Sequence, residues 1–191
     1  MSRRGGLNFN RKRRKLDIKF IPKTILTIIE VAAVIMLAYL SAYSYGLQTT
    51  VIGDSMSPTV MDGDTVLLDR LRYRIVDPKA GDVVAFRAGG RLGASISIKR
   101  VMAVPGDSVY ISGGKVFVND VVVEEYDRAN IVDAGMAENK IYLGDDEYFI
   151  LGDNRNHSTD SRYVSVGNIS RDFIIGKVWC DVTRGSIGLV N

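Results

Sequence analysis

The chain carries one histidine, His157, and one cysteine, Cys180. A Ser-His-Asp triad would have to be built on His157, and a zinc site of nitrogen and sulfur ligands cannot be assembled from one residue of each kind. Neither a G-x-S-x-G turn nor a Gly-rich phosphate loop occurs. Lysine is left as a base for a serine. Two segments stand out: Gly53-Asp54-Ser55-Met56-Ser57-Pro58-Thr59, and Ser97-Ile98-Lys99-Arg100-Val101-Met102-Ala103-Val104-Pro105-Gly106-Asp107, which sets a lysine inside an apolar run. In strict strand alternation Lys99 faces opposite Ile98 and Arg100. An inward-facing amine loses hydration, which disfavours its cation and lowers its pKa. A neutral amine can take a proton from a serine hydroxyl; an ammonium cannot. Moving a lysine from about 10.4 to about 8 takes roughly 3 kcal/mol of preferential destabilisation of the cation, which burial can supply. The chemistry on offer is nucleophilic attack by a serine with an amine as general base.

These segments need a scaffold, and the sequence predicts a mostly β one. Short β-branched runs recur at 65–68, 83–86, 95–104, 108–111, 116–118, 148–151 and 173–178, separated by turn residues such as Asp62-Gly63-Asp64, Pro105-Gly106-Asp107 and Gly152-Asp153-Asn154. Gly113-Gly114 between two such runs predicts a hairpin tip. No long amphipathic helix alternates with the runs, so a parallel βαβ sheet is not expected. The expected fold class is an antiparallel β-sheet catalytic domain behind one N-terminal transmembrane helix. Cys180, in Val178-Trp179-Cys180, reads as a buried small hydrophobe.

The helix is residues 24–47, TILTIIEVAAVIMLAYLSAYSYGL, where Glu30 is the one charge. As a helix this stretch spans about 36 Å, against about 30 Å of bilayer hydrocarbon. A buried core helix of that length would show a polar face, and the apolar region of a cleaved leader is shorter. Charge gives its direction. Residues 1–23 hold nine basic residues (Arg3, Arg4, Arg11, Lys12, Arg13, Arg14, Lys15, Lys19, Lys23) against Asp17, a local charge of +8; the chain's net +3 leaves −5 for the remainder. The high pI therefore belongs to the arm. RKRRK at 11–15 could contact nucleic acid or anionic lipid, and its place before the helix favours a topology signal and lipid contact. The first basic residue after the helix is Arg70. The expected layout is a basic cytoplasmic arm (1–23), a transmembrane anchor (24–47) and an extracytoplasmic β-rich domain (48–191).

Four blocks in order resemble the bacterial type I signal peptidases: the apolar helix then SMSPT at 55–59, GDVVAF at 81–86, KRVMAVPGD at 99–107 and GDNRNHSTDSR at 152–162. The single anchor resembles the Gram-positive form. The resemblance implies Ser55 as nucleophile, Lys99 as general base, Ser158 as the serine that orients the lysine, and the Ser55 backbone N–H as an oxyanion donor. It implies bracing roles for Arg100, Asp153, Asp160 and Arg162, and shallow apolar pockets formed by Val51, Met56, Val60 and Ile98. Some members carry a serine two residues before the nucleophile; here that residue is Gly53, as in Gram-positive-like members. His157 lies in the last block, and with Lys99 present it is assigned no catalytic role.

The function so implied is a membrane-bound serine endopeptidase, without cofactor or metal, that removes signal peptides from exported preproteins after small residues in an Ala-x-Ala-like pattern. Its expected partners are signal peptides and the lipid bilayer, with no nucleic acid. Ser55 follows Leu47 by eight residues, at most roughly 28 Å of extended chain, so the nucleophile stays near the outer membrane surface. Three other readings stay open. One is a dedicated processor of few substrates. Another is an inactive homologue that binds signal peptides. The last is a self-cleaving repressor-type Ser/Lys peptidase, against which the apolar helix argues.

Overall fold

The computed structural model describes residues 20–45, 47–88, 95–123, 130–183 and 188–190. Contacts divide the chain into two compact units, Met1–Tyr39 and Leu40–Asn191. The first element, α1, is a 26-residue helix, Phe20–Tyr45. Pro22 is tolerated in its first turn because the N–H groups there have no intrahelical partner. The side chains of residues 22–42 are all exposed. The stretch Pro22–Tyr43 is long and apolar enough to cross a membrane. Apolar surface of this extent on a helix is stable where water is absent.

The remaining elements are almost all strands: β1 (Leu47–Thr50), β2 (Thr65–Asp69), β3 (Val83–Arg87), β4 (Ile96–Ala103), β5 (Ser108–Ser112), β6 (Lys115–Val118), β7 (Val121–Val122), β8 (Ile141–Tyr142), β9 (Glu147–Leu151), β10 (Ile169–Ser170), β11 (Ile174–Asp181) and β12 (Gly188–Leu189), with a single-turn helix α2 at Arg72–Ile75. Every strand pairing described is antiparallel. The larger sheet runs β1-β2-β11-β3-β4-β9-β10, with β12 added to β11; the smaller runs β7-β6-β5-β8. The mostly antiparallel β fold expected from the sequence is what forms, and each run predicted as a strand is one.

The larger sheet is covered on both faces. Val83 and Ala85 of β3 enter one apolar cluster with Val51, Met56, Val60, Leu68 and Ile98. Val84 and Phe86, pointing the other way, enter a second cluster with Val101, Ile150 and Ile174. That explains why β3 is continuously apolar and not alternating. A third cluster joins Met102, Phe149 and Leu151 of the larger sheet to Val109, Ile111 and Val116 of the smaller. Cys180 is buried on β11, as expected.

Between β5 and β6, Ser112 pairs with Lys115 and leaves a two-residue loop. Its residues, Gly113 and Gly114, both have positive φ, +58° and +76°. That is the loop whose twist matches the flanking strands, and it favours glycine at both places. A Cβ on Gly113 meets nothing, whereas one on Gly114 would lie 2.9 Å from Asn130 Cβ. Gly113→Ala should therefore cost about 1–2 kcal/mol through backbone strain alone. Gly114→Ala should cost more, a ranking that urea unfolding of the two variants checks.

Candidate active site

Ser55 sits in the connection between β1 and β2. The loop is closed at its base by Val51 N–H donating to Asp64 O (2.8 Å) and Gly63 N–H to Val51 O (3.0 Å). Within it Gly53 adopts φ +86° and donates its N–H to Asp62 Oδ1 at 2.7 Å. A serine at position 53 would be strained there, which accounts for the glycine at that place in this sequence. Ser55 is half-buried, and its own backbone N–H donates to no acceptor among the described residues.

Lys99 comes from the middle of β4, between β3 and β9. It is 6% exposed. Its Nζ lies 2.6 Å from Ser55 Oγ and 3.1 Å from Ile98 O. Burial pushes the amine below the ordinary lysine value of 10.5; the charges of Asp160 and Asp153 pull it part of the way back. Those carboxylates are themselves neutralised. Arg100 grips Asp153 with two parallel bonds, Nε to Oδ1 at 2.8 Å and Nη2 to Oδ2 at 2.6 Å. Arg162 grips Asp160, Nε to Oδ1 at 2.8 Å and Nη2 to Oδ2 at 2.9 Å. All four of these side chains are buried.

The two pairs also fasten the loops. Thr59 Oγ1, four residues past the serine, donates to Asp153 Oδ2 at 2.6 Å. Asn154 N–H donates to Ser55 O at 3.0 Å, and its side-chain amide to Asp54 O at 3.2 Å. Gly152 N–H donates to Asp160 Oδ2 at 3.1 Å. A Cβ on Gly152 would collide with both the Ser55 carbonyl oxygen and Ser158 Oγ, so Ser158 lies beside the serine segment. Ser158 Oγ is buried and makes no hydrogen bond among the described residues.

Residues 23–182 match the family described as signal peptidase, peptidase S26. The chain belongs to that family. Bacillus subtilis signal peptidase I U is 32% identical over 172 residues, 86% of this chain and 87% of its own length. Staphylococcus aureus signal peptidase IB is 30% identical over 169 residues, 79% of this chain and 85% of its own. A Synechocystis sp. protein named Probable signal peptidase I-2 is 35% identical over 131 residues, 65% of this chain but 57% of its own length. This chain thus spans less than two thirds of that last relative. The resemblance to bacterial type I signal peptidases is borne out.

Beside the family member's Ser55 and Lys99 lies a cleft of about 50 Å³, lined by Val51, Met56 and Ile98 and also by Thr50, Ile52, Ile96 and Ser97. That volume admits a methyl-sized side chain and not a ring. Val60 is fully buried in the apolar cluster behind it and does not line the cleft. Ile96 and Ser97 were legible as the strand continuation before Ile98; Thr50 and Ile52 gave no signal beyond proximity to Ser55. Arg155, fully buried and donating to Gly152 O at 2.6 Å, was missed because a basic residue in a polar block reads as surface. His157 is exposed, with Nδ1 3.3 Å from Asn154 Oδ1.

Removing one member of a buried ion pair leaves the other charged and without solvent. Asp153→Ala should lower stability by about 3–5 kcal/mol, as measured by chemical unfolding.

Proposed function

We propose that the protein is a serine endopeptidase that cleaves signal peptides, with Ser55 as nucleophile and Lys99 as general base. The observation that carries this is the buried Lys99 amine 2.6 Å from Ser55 Oγ. Ser55 Oγ attacks the scissile carbonyl while the neutral Lys99 amine takes its proton. The developing oxyanion lies toward the Ser55 backbone N–H. Lys99 then hands the proton to the leaving amine, and the new amino terminus departs. Water, activated by the same amine, opens the ester and restores Ser55. Ser158 is the residue proposed to orient Lys99: its buried hydroxyl lies next to the nucleophile segment but makes no hydrogen bond to the amine, which is held by Ser55 Oγ and Ile98 O, so the orienting contact would form as the amine moves during proton transfer.

The cleft supports small residues on the acyl side of the cut, consistent with an Ala-x-Ala-like site. The exposed apolar helix supports a single anchor that ends before Leu47, which opens β1 where the sequence placed it in the anchor; the basic arm before the helix supports 1–23 in the cytoplasm and 48–191 outside. Anchoring holds enzyme and signal peptide in one thin layer and raises their effective concentration.

Detergent-solubilised wild type should cut a preprotein after the small residue, as read by product mass. Ser55→Ala and Lys99→Ala should yield no product, and full activity in either removes the dyad. Because the neutral amine is the active form, the rate should climb with pH as the ammonium loses its proton, reaching half its maximum below 10.5. A rate independent of pH across that range is incompatible with the mechanism.

Stability changes in the same window. The folded state binds this proton less tightly than the unfolded chain, so Lys99 opposes folding below its folded pKa, and the opposition fades as pH rises towards 10.5. Lys99→Met should therefore be inactive yet melt at or above the wild-type temperature at pH 7, as differential scanning calorimetry would record.

A further inference from the structure

In a second cleft, of about 270 Å³, the residue after β2, the end of β3, α2 and the turn before β11 bring together four arginines: Arg70, Arg74, Arg87 and Arg171, with Tyr43 and Tyr73. Arg70 Nη2 donates to Tyr43 O at 3.0 Å, and its guanidinium stands 4.3 Å above the Tyr43 ring. Arg74 Nη2 donates to Tyr43 Oη at 2.7 Å. Arg87 makes no hydrogen bond or ion pair among the described residues, and Arg70 Nε is buried without an acceptor. One carboxylate answers the four charges, Asp77, 3.4 Å from Arg171 Nε and itself 84% exposed. Ile174 and Ile175 complete the wall.

Converging like charges repel, and among the described residues the exposed Asp77 is the one carboxylate paired with them. Guanidinium groups fit phosphate oxygens two at a time. Position narrows the source of the phosphate. Tyr43 is the last residue of the apolar stretch Pro22–Tyr43. If that stretch spans the bilayer, as the proposed function holds, its end lies among lipid headgroups, where tyrosines also settle. We propose that this cleft binds the phosphodiester of an anionic membrane phospholipid, its apolar wall meeting the glycerol end of the lipid.

Arg87→Gln is the sharpest probe, because Arg87 holds no other group of the fold described here. The full chain is placed in detergent micelles doped with phosphatidylglycerol or phosphatidylcholine, and retained lipid is counted by native mass spectrometry. Wild type should favour phosphatidylglycerol by about tenfold. Arg87→Gln, and more fully Arg87→Gln with Arg171→Gln, should remove that preference at unchanged melting temperature. Equal retention of the two lipids by wild type, or an undiminished preference in the double variant, overturns the proposal. So does displacement of phosphatidylglycerol by millimolar inorganic phosphate, which would mark a site for a small soluble anion. Alkali-resistant association with phosphatidylcholine vesicles reports separately on the anchor. Failure there with the headgroup preference intact removes the anchor and sustains the cleft; success there without the preference removes the cleft alone.

Discussion

The arrangement depends on one buried ion pair, Arg100 with Asp153. Arg100 follows Lys99 on β4, and Asp153 precedes Asn154, whose N–H holds the Ser55 carbonyl. The same carboxylate receives Thr59 from the serine loop, and the same guanidinium donates to Gly81 O at the turn before β3. One planar, two-bond contact thus fixes the relative position of Lys99 and Ser55 across three separate stretches of chain. A pair of this kind is poor evidence of net stability, since an apolar pair of equal volume often folds as well. What an apolar pair would lack is direction: it could not accept from Thr59 or donate to Gly81 while holding both strands in register.

The pair has a second, electrostatic consequence. A lysine stays protonated near bare carboxylates, and two lie close enough to act on Lys99. Both are already engaged by arginines in short, well-aligned bonds, so their remaining pull on the amine is weaker than the effect of burial. The fold can therefore keep acidic residues where they are needed to position loops while burial still holds the Lys99 amine below its ordinary pKa. Arg155 adds to this lining by donating to Gly152 O from within the protein.

Much of this was legible in the sequence because β-branched runs and turn residues report strands directly. The runs at 83–86, 95–104 and 148–151 all reappear, and Lys99, which interrupts one of them, is buried beside Ser55. What escaped is equally physical. The strands β1, β7, β8, β10 and β12 have two to four residues each, too few to show a period. Leu47-Gln48-Thr49-Thr50 became a strand through pairing with β2 and not through its own pattern. The family resemblance implied a pocket role for Val60, yet the turn through Met56 carries it into the core behind the wall. The Thr59 and Asn154 contacts join residues about a hundred positions apart, and no local pattern encodes them. The four-arginine cleft was invisible for the same reason: its members come from separate elements, and only folding sums their charge.

The hairpin β1–β2 connects these separate observations. Its register sets Leu47 opposite Leu68 at one end and Thr50 opposite Thr65 at the other. At the first end stand Tyr43 and Arg70, in direct contact; beyond the second lies the loop that carries Ser55. Four paired residues span about 13 Å, and a paired strand is far stiffer than a free tether of the same length. In the proposed reaction the scissile bond lies a few residues beyond an apolar segment, so its height above the hydrocarbon is nearly constant between substrates. A flexible linker would let the nucleophile sample many heights and lose effective concentration at the useful one. A stiff spacer fixes that height, but only if its lower end is itself fixed. A helix that can slide and tilt in the bilayer does this incompletely. A headgroup held by the arginines at Tyr43 would pin the lower end of the spacer to the lipid phosphates, and so set where Ser55 works.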